Sequence, residues 1–246
     1  MVKNERHDKI LELLTNKKYM TVDELVSILH YSPATVRRDL TLLEGLGLLE
    51  KSYGGVSLNT RSRPVMLREH DNTSAKIHIC RAASQLIKDG DFIFIDGTTT
   101  TYFLCDFLER FKKITVVTSN IKLAMLLGER NIPCFVTGGL LCDSTMLSGT
   151  YAAELIEKMN FDIAFYSVTT VNEDGFFSIS DSFTELVRAA LRKSNKNILL
   201  YDDSKTRAQG KRNFKNLSCM DTVISNAKFP KLWKSKYEKT EFISVE

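Results

Sequence analysis

The chain is poor in the residues that build metal centres, disulfide scaffolds and membrane spans. Its 246 residues include only four histidines (His7, His30, His70, His78) and five cysteines (Cys80, Cys105, Cys134, Cys142, Cys219). The cysteines are odd in number, widely spaced and without a C-x-x-C pair, which argues against a disulfide framework or a zinc site. Most are expected to be reduced core residues of a cytosolic protein. No metal and no cofactor is expected, because no histidine, cysteine or carboxylate cluster has ligand spacing. The G-x-x-x-x-G-K pattern of a nucleotide-binding P-loop is also missing. Neither an internal repeat nor a low-complexity tract occurs. The opening stretch MVKNERHDKILELL is charged throughout and lacks the apolar core of a secretory signal, and no later apolar run reaches membrane-span length. The expectation is a cytoplasmic protein with no membrane partner.

What is present is the composition of a folded chain, 43% hydrophobic and 26% charged. The length suits a small domain plus a larger one, although a single long α/β domain also fits. A formal net charge of +4 permits nucleic-acid binding without demonstrating it.

Ile10, Leu13 and Leu14 recur at helical spacing, so Glu5 to about Thr15 reads as an amphipathic helix. Thr21 and Glu24 form a capping box ahead of a second short helix carrying Val22, Leu25, Val26 and Leu29. Ser32 is a good N-cap and Pro33 suits the first helical position, so a third helix begins there. Its apolar side is Val36, Leu40 and Leu43. At about 100° per residue the opposite side presents Ala34, Thr35, Arg38 and Thr41, with Arg37 on the flank. A helix entering a major groove needs slim residues near its start and arginines able to grip phosphate or guanine edges. After Gly45 and Gly47, residues 48–58 read as strand, glycine turn and strand, a hairpin wing whose Lys51, Ser52 and Tyr53 could touch the DNA backbone. The competing reading is a protein-interaction or dimerisation module whose two arginines form surface salt bridges with Asp39 and Glu44.

The segment Tyr31-Ser-Pro-Ala-Thr-Val-Arg-Arg-Asp-Leu-Thr-Leu-Leu-Glu-Gly-Leu-Gly-Leu-Leu-Glu50, followed by Tyr53-Gly-Gly-Val56, closely resembles the DNA-binding signature of the DeoR family of bacterial regulators. That pattern runs S-x-x-T-[IV]-R-R-D-L, L-E-x-x-G and then G-G. The resemblance implies that Ser32, Thr35, Arg37 and Arg38 face DNA. Tyr53 departs from the histidine common at its position.

From Ser74 onward, apolar runs alternate with helical patterns, as in a mostly parallel sheet covered by helices. A helix is marked by Ile77, Cys80, Ala83, Leu86 and Ile87. Residues 92–95, 114–117, 134–136, 163–166, 198–201 and 222–224 are candidate buried strands. Helices led by Phe103, Ile121, Leu155 and Leu186 separate most of them. The domain plan is therefore 1–57 winged helix-turn-helix, 58–73 linker, and 74–246 α/β domain of Rossmann-like type.

Ligands of such sheets bind beyond the carboxyl ends of strands, so the residues after each run matter most. Asp96-Gly97-Thr98-Thr99-Thr100 is a hydroxyl-rich turn leading into a helix, suited to phosphate or to simple helix capping. The segments ending in Asn120 and in Gly138-Gly139 are small and polar, consistent with ligand contact, capping or a tight turn. Lys205 follows another strand, where its ammonium could neutralise a phosphate or sit in solvent. Convergence of these junctions at one sheet edge would matter more than any one of them.

The family resemblance extends here through D-G-T-T-T at Asp96, V-T-S-N at Val117, T-G-G-L at Thr137 and D-D-S-K at Asp202. Asp162 to Ser167, Glu173-Asp-Gly175 and Thr184-Glu185 also match in order. It implies a fold related to ribose-phosphate isomerases, glucosamine-phosphate deaminases and CoA transferases, and a phosphorylated sugar or similar metabolite as effector. It further implies a homo-oligomer, dimer or tetramer, on a double-stranded operator, usually as a repressor released by the effector. Ser119, Thr169-Thr170 and Asn226 depart from the pattern. The rival function is a sugar-phosphate isomerase or deaminase with an accessory N-terminal module. Asp96 and Glu185 are its possible carboxylates, but no histidine follows a strand of the α/β region, so no acid–base set and no catalytic residue stands out.

Overall fold

A computed structural model of the chain describes residues 3–17, 19–45, 49–52, 54–58, 72–142, 145–206 and 213–245. The chain divides into two compact units, Met1–Asp71 and Asn72–Glu246. The expected linker at 58–73 lies mostly outside the described residues, as does Tyr53.

In the first unit, α1 (Lys3–Lys17) leads to β1 (Tyr19–Thr21), α2 (Val22–Leu29), α3 (Pro33–Gly45), β2 (Leu49–Ser52) and β3 (Gly55–Leu58). Thr21 caps α2 through the expected box, its hydroxyl accepting from Glu24 N while the Glu24 carboxylate accepts from Thr21 N. His30 ends α2 in the left-handed region at φ 57°, which turns the chain sharply into α3. Ile10, Leu14, Met20, Leu25, Val36, Leu40, Leu43 and Val56 close one core. The wing strands pair antiparallel as expected, and β1 adds a third strand to give the order β1-β3-β2. Three residues are too few to show a period in the sequence, so β1 was not foreseen.

The second unit begins with α4 (Thr73–Ser84), β4 (Phe92–Ile95), β5 (Thr115–Thr118), α5 (Ile121–Glu129), β6 (Cys134–Val136), β7 (Leu140–Leu141), β8 (Leu147–Ser148) and α6 (Thr150–Glu157). It continues with β9 (Ile163–Tyr166), β10 (Thr170–Val171), β11 (Phe176–Ser178), α7 (Thr184–Lys193), β12 (Asn197–Tyr201), β13 (Lys215–Asn216), β14 (Thr222–Ser225), α8 (Lys231–Lys236) and β15 (Glu241–Ser244). Seven strands form one parallel sheet in the order β15-β14-β12-β9-β4-β5-β6. Alternate residues feed opposite cores. Ile93, Ile95, Val116 and Leu200 pack with Ile79, Leu104 and Leu123, whereas Phe94, Val117, Leu199 and Tyr201 pack with Ile156, Leu186 and Trp233. Burial on both faces is why the strands read as continuous apolar runs.

Three expectations change. Residues 134–136 form an edge strand rather than a buried one, with Phe135 and Val136 exposed. The turn after Asp96 enters a 3-10 helix, Thr101–Phe107, in place of an α-helix. All five cysteines are free, but only Cys80 and Cys105 are buried.

Candidate DNA-recognition face and effector site

Ser32 caps α3 through Thr35 N, and its hydroxyl also lies 2.9 Å from Thr35 Oγ1. Val36, Leu40 and Leu43 point into the core. Ala34, Arg37, Arg38 and Thr41 are exposed on the remaining faces, and Thr35 is half-buried. Asp39 does not pair with its neighbouring arginines. It is buried, and it takes Arg6 Nε at 2.5 Å, Arg6 Nη2 at 3.1 Å and His7 Nε2 at 2.9 Å, all from α1. Burial works to raise the Asp39 pKa, but the contacts from Arg6 and His7 outweigh it and hold the carboxyl below its ordinary value. Glu44 pairs with Lys51 at 2.7 Å, not with an arginine. The salt-bridge reading of Arg37 and Arg38 is thereby overturned: among the described residues neither guanidinium has an ionic partner. Lys51 also donates to Thr41 Oγ1 at 2.9 Å, tying the wing to α3. Ser52 is exposed beside it on β2.

In the second unit, parallel pairing brings the loops after β4, β5, β6 and β12 to the same edge of the sheet. Asp96 is buried. Its Oδ1 accepts from Thr98 N and Oγ1 at 3.0 Å and from Thr101 Oγ1 at 2.6 Å, and its Oδ2 accepts from Ser167 N at 2.7 Å. Burial pushes its carboxyl above the usual range despite these donors. Both oxygens are occupied by the protein itself, so Asp96 shapes the loop. Asn120 is equally committed: its Nδ2 donates to Gly97 O at 2.6 Å and its Oδ1 caps α5 at Leu123 N, 3.0 Å away. Gly97 has φ +72°, and a Cβ there would lie 2.3 Å from Asn120 Cβ, which explains the glycine. Thr98 is half-buried, whereas Thr99 and Thr100 are buried. Among the described residues the Thr100 hydroxyl has no hydrogen-bond partner. Gly138 and Gly139 both have positive φ, and Gly139 passes close to the Ser148 carbonyl. Lys205 sits half-buried in the 3-10 turn Asp203–Thr206 after β12. The strand order separates that turn from the Asp96 loop by two strand spacings, roughly 10 Å.

Several participants escaped the sequence reading. Asn72 donates to Asp202 at 2.7 Å, across the carboxyl end of β12. Burial acts to raise the Asp202 pKa, but hydrogen bonds from Ser204 and Asn72 and the charge of Lys205 leave it lowered. Lys76 is almost fully buried on α4. Its spacing to Ile79, Cys80 and Ala83 sets it on the apolar stripe, and a lysine there was the available signal. Among the described residues no group of histidine, cysteine and carboxylate side chains could hold a metal, and no helix is long and apolar enough to cross a membrane.

A trihelical unit with an exposed arginine-bearing helix and a hairpin, on a chain with a parallel-sheet domain, defines a winged helix-turn-helix transcription regulator with a sensor domain. Residues 6–62 match the DeoR-like helix-turn-helix domain and residues 71–227 the DeoR C terminal sensor domain; the chain belongs to the DeoR family. It is 31% identical over 241 residues to the HTH-type transcriptional regulator GolR of Listeria innocua, covering 95% of this chain and 94% of that protein. The lactose phosphotransferase system repressor of Lactococcus lactis is 32% identical over 213 residues, covering 83% and 84%. Among solved structures, ribose 5-phosphate isomerase A from Neisseria gonorrhoeae is similar with a TM-score of 0.40 at 17% identity. That similarity covers 53% of this chain and only about half, 52%, of the isomerase chain. The curated relatives are regulators, so the protein is a DNA-binding regulator with a small-molecule sensor domain and not an isomerase or deaminase.

Proposed function

We propose that α3 lies in the major groove of a double-stranded operator, with Ser32, Ala34, Thr35, Arg37, Arg38 and Thr41 toward the nucleotides and Lys51, Ser52 and Tyr53 on the backbone. The observation that carries this reading is the exposure of Arg37 and Arg38 on the side of α3 away from Val36, Leu40 and Leu43. Guanidinium groups without an internal carboxylate are available for bidentate contacts to guanine or for phosphate.

The effector in this reading is a phosphorylated sugar, held beyond the sheet edge by the backbone of residues 97–100, the Thr98 and Thr100 hydroxyls, the Gly138-Gly139 turn and Lys205. Asp96 and Asn120 serve as the frame of that loop. The unpartnered Thr100 hydroxyl supports a polar ligand, the roughly 10 Å span suits a phosphate at one end and hydroxyls at the other, and a lactose phosphotransferase system repressor among the relatives supports carbohydrate control. Effector binding releases a homo-oligomeric repressor from a carbohydrate operon, in the cytoplasm. Calorimetry of the full chain against ribose, fructose, hexosamine and galactose phosphates tests the site. One of them is expected to bind wild type and to lose affinity in Lys205→Ala while DNA binding persists. No binding across the panel would contradict the assignment.

A further inference from the structure

Among the described residues Lys76 is the one buried cation, at 2% exposure. Taking an ammonium out of water is costly. Its place in α4 adds to the cost: Lys76 N donates to Asn72 O and closes the first helical turn, where the helix dipole disfavours positive charge. A methionine of similar length would fill the same space on the stripe of Ile79, Cys80 and Ala83 without either cost.

Asn72, Lys76 and Cys80 follow one another at four-residue intervals, which sets them on one side of α4. Asn72 Nδ2 donates to Asp202 Oδ1 at 2.7 Å, beyond the end of β12. Cys80 Sγ donates to Thr100 O at 3.1 Å, in the loop after β4. Lys76 therefore stands between the loop that carries Lys205 and the loop of residues 97–100. The contact of Asn72 with Asp202 marks the start of α4 at the carboxyl edge of the sheet. Helical side chains lean toward the helix start, so the Lys76 stem leans to the edge where parallel sheets bind their ligands. Burial pushes the Cys80 thiol well up, and the charges of Lys76 and Asp96 both reach it. The two acids of these loops are turned to protein donors: Asp96 accepts from Thr98, Thr101 and Ser167, and Asp202 from Asn72 and Ser204. Thr100, 1% exposed, keeps a hydroxyl that has no partner among the described residues.

We infer that Lys76 is a phosphate-binding residue of the sensor domain: its ammonium supplies buried positive charge to an oxyanion that the loop of residues 97–100 and the Thr100 hydroxyl receive. A charge within the low-dielectric interior is screened less than a surface lysine's, so it acts more strongly on a bound anion. The assignment deepens the effector reading above and stands only with it.

Calorimetry of the full chain with inorganic phosphate and with the sugar phosphates named above tests it, using Lys76→Met and, as a control beyond the other end of α4, the exposed Lys88→Met. Wild type and Lys88→Met are expected to bind alike. Lys76→Met should bind inorganic phosphate and the best sugar phosphate at least tenfold more weakly, while its affinity for a duplex selected by wild type from a random pool is kept. If wild type binds and Lys76→Met matches it, the role of Lys76 is wrong while the effector site stands. If wild type binds neither inorganic phosphate nor any of the sugar phosphates, both fall. Amide hydrogen exchange in unmodified protein gives an independent readout: added phosphate should slow exchange at residues 74–78 together with residues 97–100. Protection confined to residues 97–100 would overturn the role of Lys76 even if the variant misfolds.

Discussion

Arg6 of α1 donates to Asp39 of α3 from Nε at 2.5 Å and from Nη2 at 3.1 Å, joining residues 33 positions apart. The Arg6 guanidinium also lies 4.7 Å from the centroid of the Tyr31 ring, just before α3 begins. The contact turns the one carboxylate of the Arg37-Arg38-Asp39 triplet inward. The carboxylate next to the arginines in sequence is thereby taken up by α1, and Arg37 and Arg38 stay exposed.

Replacing Asp39 by alanine strands Arg6 in a largely buried position, and is expected to destabilise the first unit by about 3 kcal/mol. Circular dichroism during urea unfolding measures this. The pH dependence has a definite sign. Because the native carboxyl lies below its ordinary value of 3.8, its stabilisation is complete above that value and disappears as pH falls through the native one. The gap between wild type and Asp39→Asn should therefore be widest near neutrality and close under acid conditions. A gap that widens in acid would refute the argument.

Gly97→Ala should destabilise the loop after β4. At φ +72° an alanine is strained, and its Cβ would collide with Asn120 Cβ and approach Thr118 Oγ1 to 3.0 Å. The expected loss is roughly 2 kcal/mol or more. Trp233, the single tryptophan, is buried in the second unit, so its fluorescence reports this unfolding directly. An unchanged urea midpoint would show that the loop yields more easily than its packing implies.

Asn120→Ala removes the cap of α5 and leaves the Gly97 carbonyl without its donor. The cap is worth about 1 kcal/mol and the abandoned buried carbonyl about 1–3 kcal/mol. Asn120→Asp keeps the cap acceptor but cannot donate to Gly97 O when ionised, so it should fall between alanine and wild type in thermal unfolding. An alanine variant as stable as wild type would mean that the Asn120 contacts to Gly97 O and Leu123 N contribute nothing.

Lys51→Ala should weaken operator and random duplex about equally and reduce the salt dependence by about one counterion. Lys51 already touches Glu44 and Thr41, so exchanging that exposed pair for phosphate requires little energy. Fluorescence anisotropy across a salt series measures the slope, and a selective loss on operator alone would assign Lys51 to base reading.

Much of this was legible in the residues. The order Ser32-Pro33, then Val36, Leu40 and Leu43, specifies a helix start and its buried side locally, and the structure follows it. The apolar runs ending at Ile95, Val117, Tyr166 and Tyr201 read as strands because a parallel sheet buries both faces. The inward turn of Asp39 was not legible, since its partners come from α1 and no local pattern marks them. An apolar run also looks the same at a sheet's centre and at its edge, so the exposure of Phe135 and Val136 depended on a strand order that the sequence does not display. The short β7, β10 and β13 strands are held by tertiary pairing and carry no periodic signal of their own.

The most direct test of the DNA-recognition account is fluorescence anisotropy with Arg38→Ala on a duplex selected by the wild-type protein from a random pool, beside an unselected duplex. Loss of a base-reading guanidinium should cost about 1–3 kcal/mol on the selected duplex and substantially less on the unselected one. Equal affinity of variant and wild type for the selected duplex would contradict the orientation of α3 on which the account rests.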